Sequence, residues 1–90
     1  MRLLFKGFDI NPNPASSYVK INFSINNDEF VNISLYNSLG EIINNEVNKT
    51  EVKGSHTIVS DISNLQPGVY YFKMNLRDNS VIIRKLVVTK

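Results

Sequence analysis

The sequence predicts an all-β fold, two antiparallel sheets packed face to face as a sandwich of about seven strands. Three observations lead there. Val and Ile are plentiful while the single alanine is Ala15, so β-branched residues dominate where strong helix formers are scarce. Short runs of alternating apolar and polar residues recur along the chain, separated by turns rich in Asn, Ser, Asp and Gly. The stretch 61–71, D-I-S-N-L-Q-P-G-V-Y-Y, reads as the end of one strand, a buried turn and the start of the next. In it Ile62 and Leu65 are apolar residues that plug the end of a core, and Gly68 supplies a backbone angle other residues resist. Tyr70 then has the placement of a tyrosine corner, with its hydroxyl bent back to the preceding turn.

Taken in order, residues 8–11 form a short first strand that ends at N-P-N-P, Asn11 to Pro14. Two prolines this close cannot sit in a central strand, since neither donates a ladder hydrogen bond, and each pushes its predecessor toward extended geometry. The segment is therefore an edge or a rigid kink where the chain crosses between sheets. Residues 18–25 are the cleanest strand: Val19, Ile21, Phe23 and Ile25 alternate with Lys20, Asn22 and Ser24. After a turn at 26–29, residues 30–36 put Val31, Ile33 and Leu35 on one face. Gly40 closes the next turn. Residues 41–47 alternate weakly, residues 48–53 are polar and charged and read as a loop, and residues 54–60 are strand-like. Residues 69–76 align Tyr70, Phe72, Met74 and Leu76. A hairpin turn at 77–80 leads to the last strand, 81–89, which is apolar on both faces around Leu86, Val87 and Val88. That strand is either covered on both sides or awaiting a partner. The expected core is Val19, Ile21, Phe23, Val31, Ile33, Leu35, Ile58, Leu65, Tyr70, Phe72 and Met74. Seven short strands with regular turns give the sandwich an immunoglobulin-like form.

The totals bound the rest. Ninety residues make one domain, with residues 8–90 as the sandwich and residues 1–7 as an N-terminal extension or a remnant of excision. There is no cysteine, so the core must hold the fold without disulfides, and the compartment stays open. The net charge is +2, but from Tyr70 onward Lys73, Arg77, Arg84, Lys85 and Lys90 face only Asp78. Basic residues on a strand edge discourage sheet-to-sheet aggregation. A nucleic-acid surface needs a denser basic patch with interleaved aromatics. No apolar run approaches the ~20 residues a membrane span requires, and residues 1–5 are too short for a signal peptide.

No stretch suggests a reaction. His56 is the sole histidine, and without cysteine it makes no zinc site; it reads as structural. Ser55 and Ser60 lie near it in sequence without a third orienting group. The adjacent Asp28 and Glu29 diverge and belong to a turn. No loop has the acidic repeat calcium needs, and the four glycines are too dispersed for a phosphate loop. Asn22, Asn32 and Asn48 begin N-x-S/T triplets, as expected by chance in an Asn-rich chain. Tyr18, Tyr36 and Tyr71 are candidates for a sugar-stacking platform, which would make the domain a glycan- or protein-binding module at the cell surface.

N-P-N-P, V-K-I-N-F-S-I, V-N-I-S-L-Y-N-S-L-G-E, G-S-H-T, D-I-S-N-L-Q-P-G-V-Y-Y-F-K and a closing R-K-L-V-V-T-K follow one another in this chain. The ordered set resembles the type A C-terminal sorting domain of the bacterial type IX secretion system. The resemblance implies a non-enzymatic address on a larger secreted protein of Bacteroidota-type bacteria, with no cofactor and no metal. It implies transit through the periplasm, recognition by an outer-membrane translocon, removal by a sortase-like C-terminal signal peptidase, and cargo that is released or kept on the cell surface. The cargo domain would lie N-terminal to this chain. The family's structural motifs fall on Pro12, Asn13 and Pro14 and on Gly68 and Tyr70. Its terminal motif, the expected recognition element, falls on Lys85, Leu86, Val87, Val88 and Lys90. A basic, apolar last strand is suited to adding to a receptor's sheet edge, and the same edge makes a dimer an expectation.

Overall fold

A computed structural model describes residues 7–90, which form seven strands joined by turns, bends and short irregular segments. The strands are β1 (Gly7–Asn11), β2 (Tyr18–Ile25), β3 (Glu29–Asn37), β4 (Ile42–Glu51), β5 (Gly54–Asp61), β6 (Gly68–Leu76) and β7 (Val81–Val88). They form a three-stranded sheet in the order β1-β2-β5 and a four-stranded sheet in the order β4-β3-β6-β7, with every strand pair antiparallel. This is the two-sheet sandwich the alternation predicts. The expected extension at 1–7 lies outside the described residues except for Gly7, which opens β1.

The inward faces of both sheets meet in one core. The predicted residues of β2, β3 and β6 are all buried in it, while Ile58 and Leu65 are half-buried and pack against it. The core extends further than expected: Phe8 and Ile10 of β1, Ala15, Ile25, Val47, Ile62, Leu76, and Leu86 and Val88 of β7 are buried too. Ile62 sits in the turn after β5, where its amide donates to Ser17 O at 3.0 Å and its carbonyl accepts from Leu65 N at 3.0 Å. The turn before β6 is a tyrosine corner: the Tyr70 hydroxyl donates to Gln66 O at 2.7 Å. Gly68 holds φ at +153°, where a Cβ is strained even though open space surrounds the position.

One expectation is corrected. Residues 48–53 read as a loop, yet β4 continues to Glu51, with Asn48 opposite Asn32 and Glu51 opposite Glu29. Polarity misled because an edge strand needs only its backbone to pair, and Val47 is the one β4 residue in the core. Two register shifts, between Ile33 and Ser34 and between Leu35 and Tyr36, account for the weak alternation of residues 41–47.

Candidate functional site

β1 ends in the three-stranded sheet, but Ala15 forms a parallel bridge with Val88 in the other. The N-P-N-P segment is thus the crossing between sheets, and both of its Asn–Pro peptide bonds are cis. It brings Pro12–Pro14 against the outward edge of β7, so the proline motif and the last strand form one site.

The contact is a short parallel ladder. Ala15 N donates to Val87 O and Thr89 N donates to Ala15 O, both at 2.9 Å, flanking Val88 as a parallel partner should. One rung earlier the Asn13 side chain does the same work around Leu86. Its Nδ2 donates to Lys85 O at 2.7 Å, and its Oδ1 accepts from Val87 N at 2.9 Å. Pro12 and Pro14 have no N–H to offer. The Asn13 carboxamide carries one acceptor and a donor in a plane, as a peptide group does, and takes the place of a backbone rung. Beyond it, Lys90 Nζ donates to Ser16 O at 2.7 Å, Ser63 O at 3.0 Å and Ile62 O at 3.3 Å. The last lysine is thereby stitched to the turn that carries the tyrosine corner. Asp61, the last residue of β5, leads into the same turn. Donors from the Ser63 hydroxyl and amide hold its carboxyl below the usual aspartate range; desolvation opposes them, and the Lys90 charge adds the least of the four effects.

In the middle of β7, directly before Lys85, the Arg84 guanidinium spans the gap between the sheets. Nε donates to Phe8 O at 2.8 Å and Nη1 to Ile83 O at 3.0 Å, with the charge 6.0 Å from the centre of the Phe8 ring.

The five expected recognition residues therefore divide. Leu86 and Val88 are core side chains, and Val87 is half-buried on the outer face. Lys85 is exposed there, and Lys90 is exposed but engaged. Over residues 85–89 both hydrogen-bonding edges of the last strand are taken, one by β6 and the other by Asn13 and Ala15, while its outer face stays open at Lys85. Sequence reasoning missed Ala15, Ser16, Ser63 and Arg84 as parts of this junction. The one signal available was Ala15, the chain's single alanine, directly after Pro14.

The three tyrosines do not assemble. Tyr18 lies on the three-stranded sheet, whereas Tyr36 and Tyr71 are in register on the outer face of the other. That pair lines a shallow groove with Lys73 and Ile83, and Lys73 Nζ sits 5.3 Å over the Tyr36 ring. His56 is stacked on Phe23 with ring centroids 4.9 Å apart, and its Nε2 bonds Val52 O at 2.6 Å, which is a structural environment. Among the described residues no cluster of His, Cys, Asp and Glu is arranged to hold a metal ion, and no helix is long and apolar enough to cross a membrane.

Residues 9–89 match the family model described as the secretion system C-terminal sorting domain. No curated protein and no solved structure matches the chain.

Proposed function

The chain belongs to the secretion system C-terminal sorting domains, and from that premise we propose how this member marks its cargo. The domain is a sorting signal for type IX secretion, from a family that is not an enzyme family, and it directs export to the cell surface or beyond. In our reading an outer-membrane translocon of a Bacteroidota-type bacterium recognises it after periplasmic transit. A sortase-like peptidase then removes it from a cargo joined at its N-terminal side.

The surface read by the translocon is the outer side of the junction: exposed Lys85, half-buried Val87, and Lys90 where it lies against Ser16 and Ser63. Leu86 and Val88 act indirectly, by holding β7 in the core. The observation that supports this is that the two motifs named from the sequence, 12–14 and 85–90, are stitched into one patch.

The test fuses residues 8–90 to a periplasm-targeted fluorescent reporter in a bacterium that has this secretion system. Reporter should reach the outside with the intact domain and stay in the periplasm when residues 86–90 are deleted. That deletion also empties two core positions, so Lys85→Glu and Lys90→Ala are the decisive variants. Both should keep the far-UV spectrum of the intact domain and lose most export. Undiminished export from both would sink the proposed recognition surface, and periplasmic retention of the intact fusion would sink the whole route.

A further inference from the structure

The outward edge of β7 from Lys85 to Thr89 offers Lys85 O, Val87 N, Val87 O and Thr89 N, and all four are taken by Asn13 and Ala15. These groups have a second property. If another copy of the strand ran antiparallel across a two-fold axis at Val87, the same groups would pair with themselves. Val87 would exchange both of its bonds with the second Val87, and Lys85 would stand opposite Thr89. Leu86 would face Val88; only the outermost pair, Arg84 opposite Lys90, sets like charges against each other, and no like charges are opposed between Lys85 and Thr89. An exposed edge with this self-complementarity is a route to association.

We propose that residues 13–15 are a plug that keeps the β7 edge from pairing with a second copy of the chain, and that Asn13 is its key residue. The plug suits this task because it is built mostly without backbone donors. Pro12 and Pro14 cannot extend a ladder outward, so the segment closes β7 without itself becoming a new edge. Ala15 is buried against the core, which anchors the plug independently of the Asn13 bonds. The partner that fits when the plug is released is a second copy, joined through β7 into one continuous sheet. This inference does not depend on the sorting function, and its test uses the isolated domain.

Two variants release the plug to different extents. Asn13→Ala removes the first rung alone. The combination Pro12→Gly, Asn13→Ser and Pro14→Gly also frees the segment to leave. Amide exchange should quicken at Val87 in Asn13→Ala by at least tenfold while the amides of β2 and β3 keep their protection. Sedimentation should find the unaltered domain monomeric across the accessible concentration range and the triple variant in a concentration-dependent dimer. Adding Val87→Lys to the triple variant places two like charges across the two-fold axis and should return it to monomer. The proposal is overturned by any of four results: unchanged Val87 exchange in Asn13→Ala, a quickening spread evenly over β2 and β3, a monomeric triple variant, or a dimer that survives Val87→Lys. A dimer of the unaltered domain would overturn it equally.

Discussion

The Tyr70 hydroxyl and the Asp61 carboxylate show how single groups fix the turn between β5 and β6. Tyr70 is largely buried, and its oxygen reaches Gln66 O at 2.7 Å inside a segment that must also present Gly68 at φ +153°. Tyr70→Phe keeps the ring and deletes that bond, leaving a partly buried carbonyl without its donor. The expected loss is about 1 kcal/mol, a fall of roughly 4–8 °C in Tm for a domain of this size, measured by thermal unfolding. Asp61 is governed by its two Ser63 donors, with Lys90 assisting. Because its folded-state pKa is depressed, its contribution to stability is present above the unfolded-state value. It is lost as pH falls through the folded-state value. Ser63→Ala removes the larger of the two donors and should move the Asp61 carboxyl upward in an NMR titration; an unmoved titration would show that the serine hydroxyl is not what holds it down.

At the scale of elements, β7 carries more of the fold than its place at a sheet edge suggests. Leu86 is fully buried and Val88 nearly so, between β6 on one side and Ala15 on the other. Leu86→Ala should cost about 2–5 kcal/mol, since the sandwich interior closes only partly around the lost methyls. Lys85→Glu, on the solvent side of the same strand, should shift the urea midpoint little. Much of this was legible beforehand. Strict alternation located β2, β3 and β6 to within a residue or two, and the D-I-S-N-L-Q-P-G-V-Y-Y stretch disclosed the tyrosine corner. Periodicity could not disclose β4 beyond Val47, because its ladder is made by backbone and by an amide row in which Asn75 Nδ2 donates to Asn32 and Asn32 Nδ2 to Asn48, each at 3.2 Å. Nor could it disclose the plug, since Asn13 acts by a side chain that imitates a peptide, and Lys85 O, which it meets, is 72 residues away. The apolar run at 86–88 was ambiguous from sequence for a physical reason: a strand covered on both sides and a strand awaiting a partner have the same composition.

For the molecule as a whole, the sandwich closes only when its two ends meet. β1 pairs with β2 alone, and the crossing after it must find β7, the last strand to be made. Loop-closure entropy for such distant partners has to be met before their contacts return anything, so folding should be slow for the chain's length, in the millisecond-to-second range of sandwich proteins. The same topology predicts an all-or-none response to loss of the end. A chain ending at residue 85 lacks Leu86 and Val88 in the core, the Val87 and Thr89 groups that pair with Asn13 and Ala15 on the edge, and the Lys90 bonds to Ser16, Ile62 and Ser63. With a modest core and no disulfide, it has little stability in reserve. It should therefore show no cooperative urea transition and no dispersed methyl resonances, while residues 8–90 unfold in a single step seen alike by tyrosine fluorescence and far-UV circular dichroism. A truncated chain that kept a cooperative transition near the full-length midpoint would mean that β7 is an appendage to a finished sandwich. Export lost on deleting it would then report recognition alone. If the truncated chain is unfolded, the same loss reports folding, and recognition is read from Lys85→Glu, and from Lys90→Ala once that variant is shown to keep the cooperative transition.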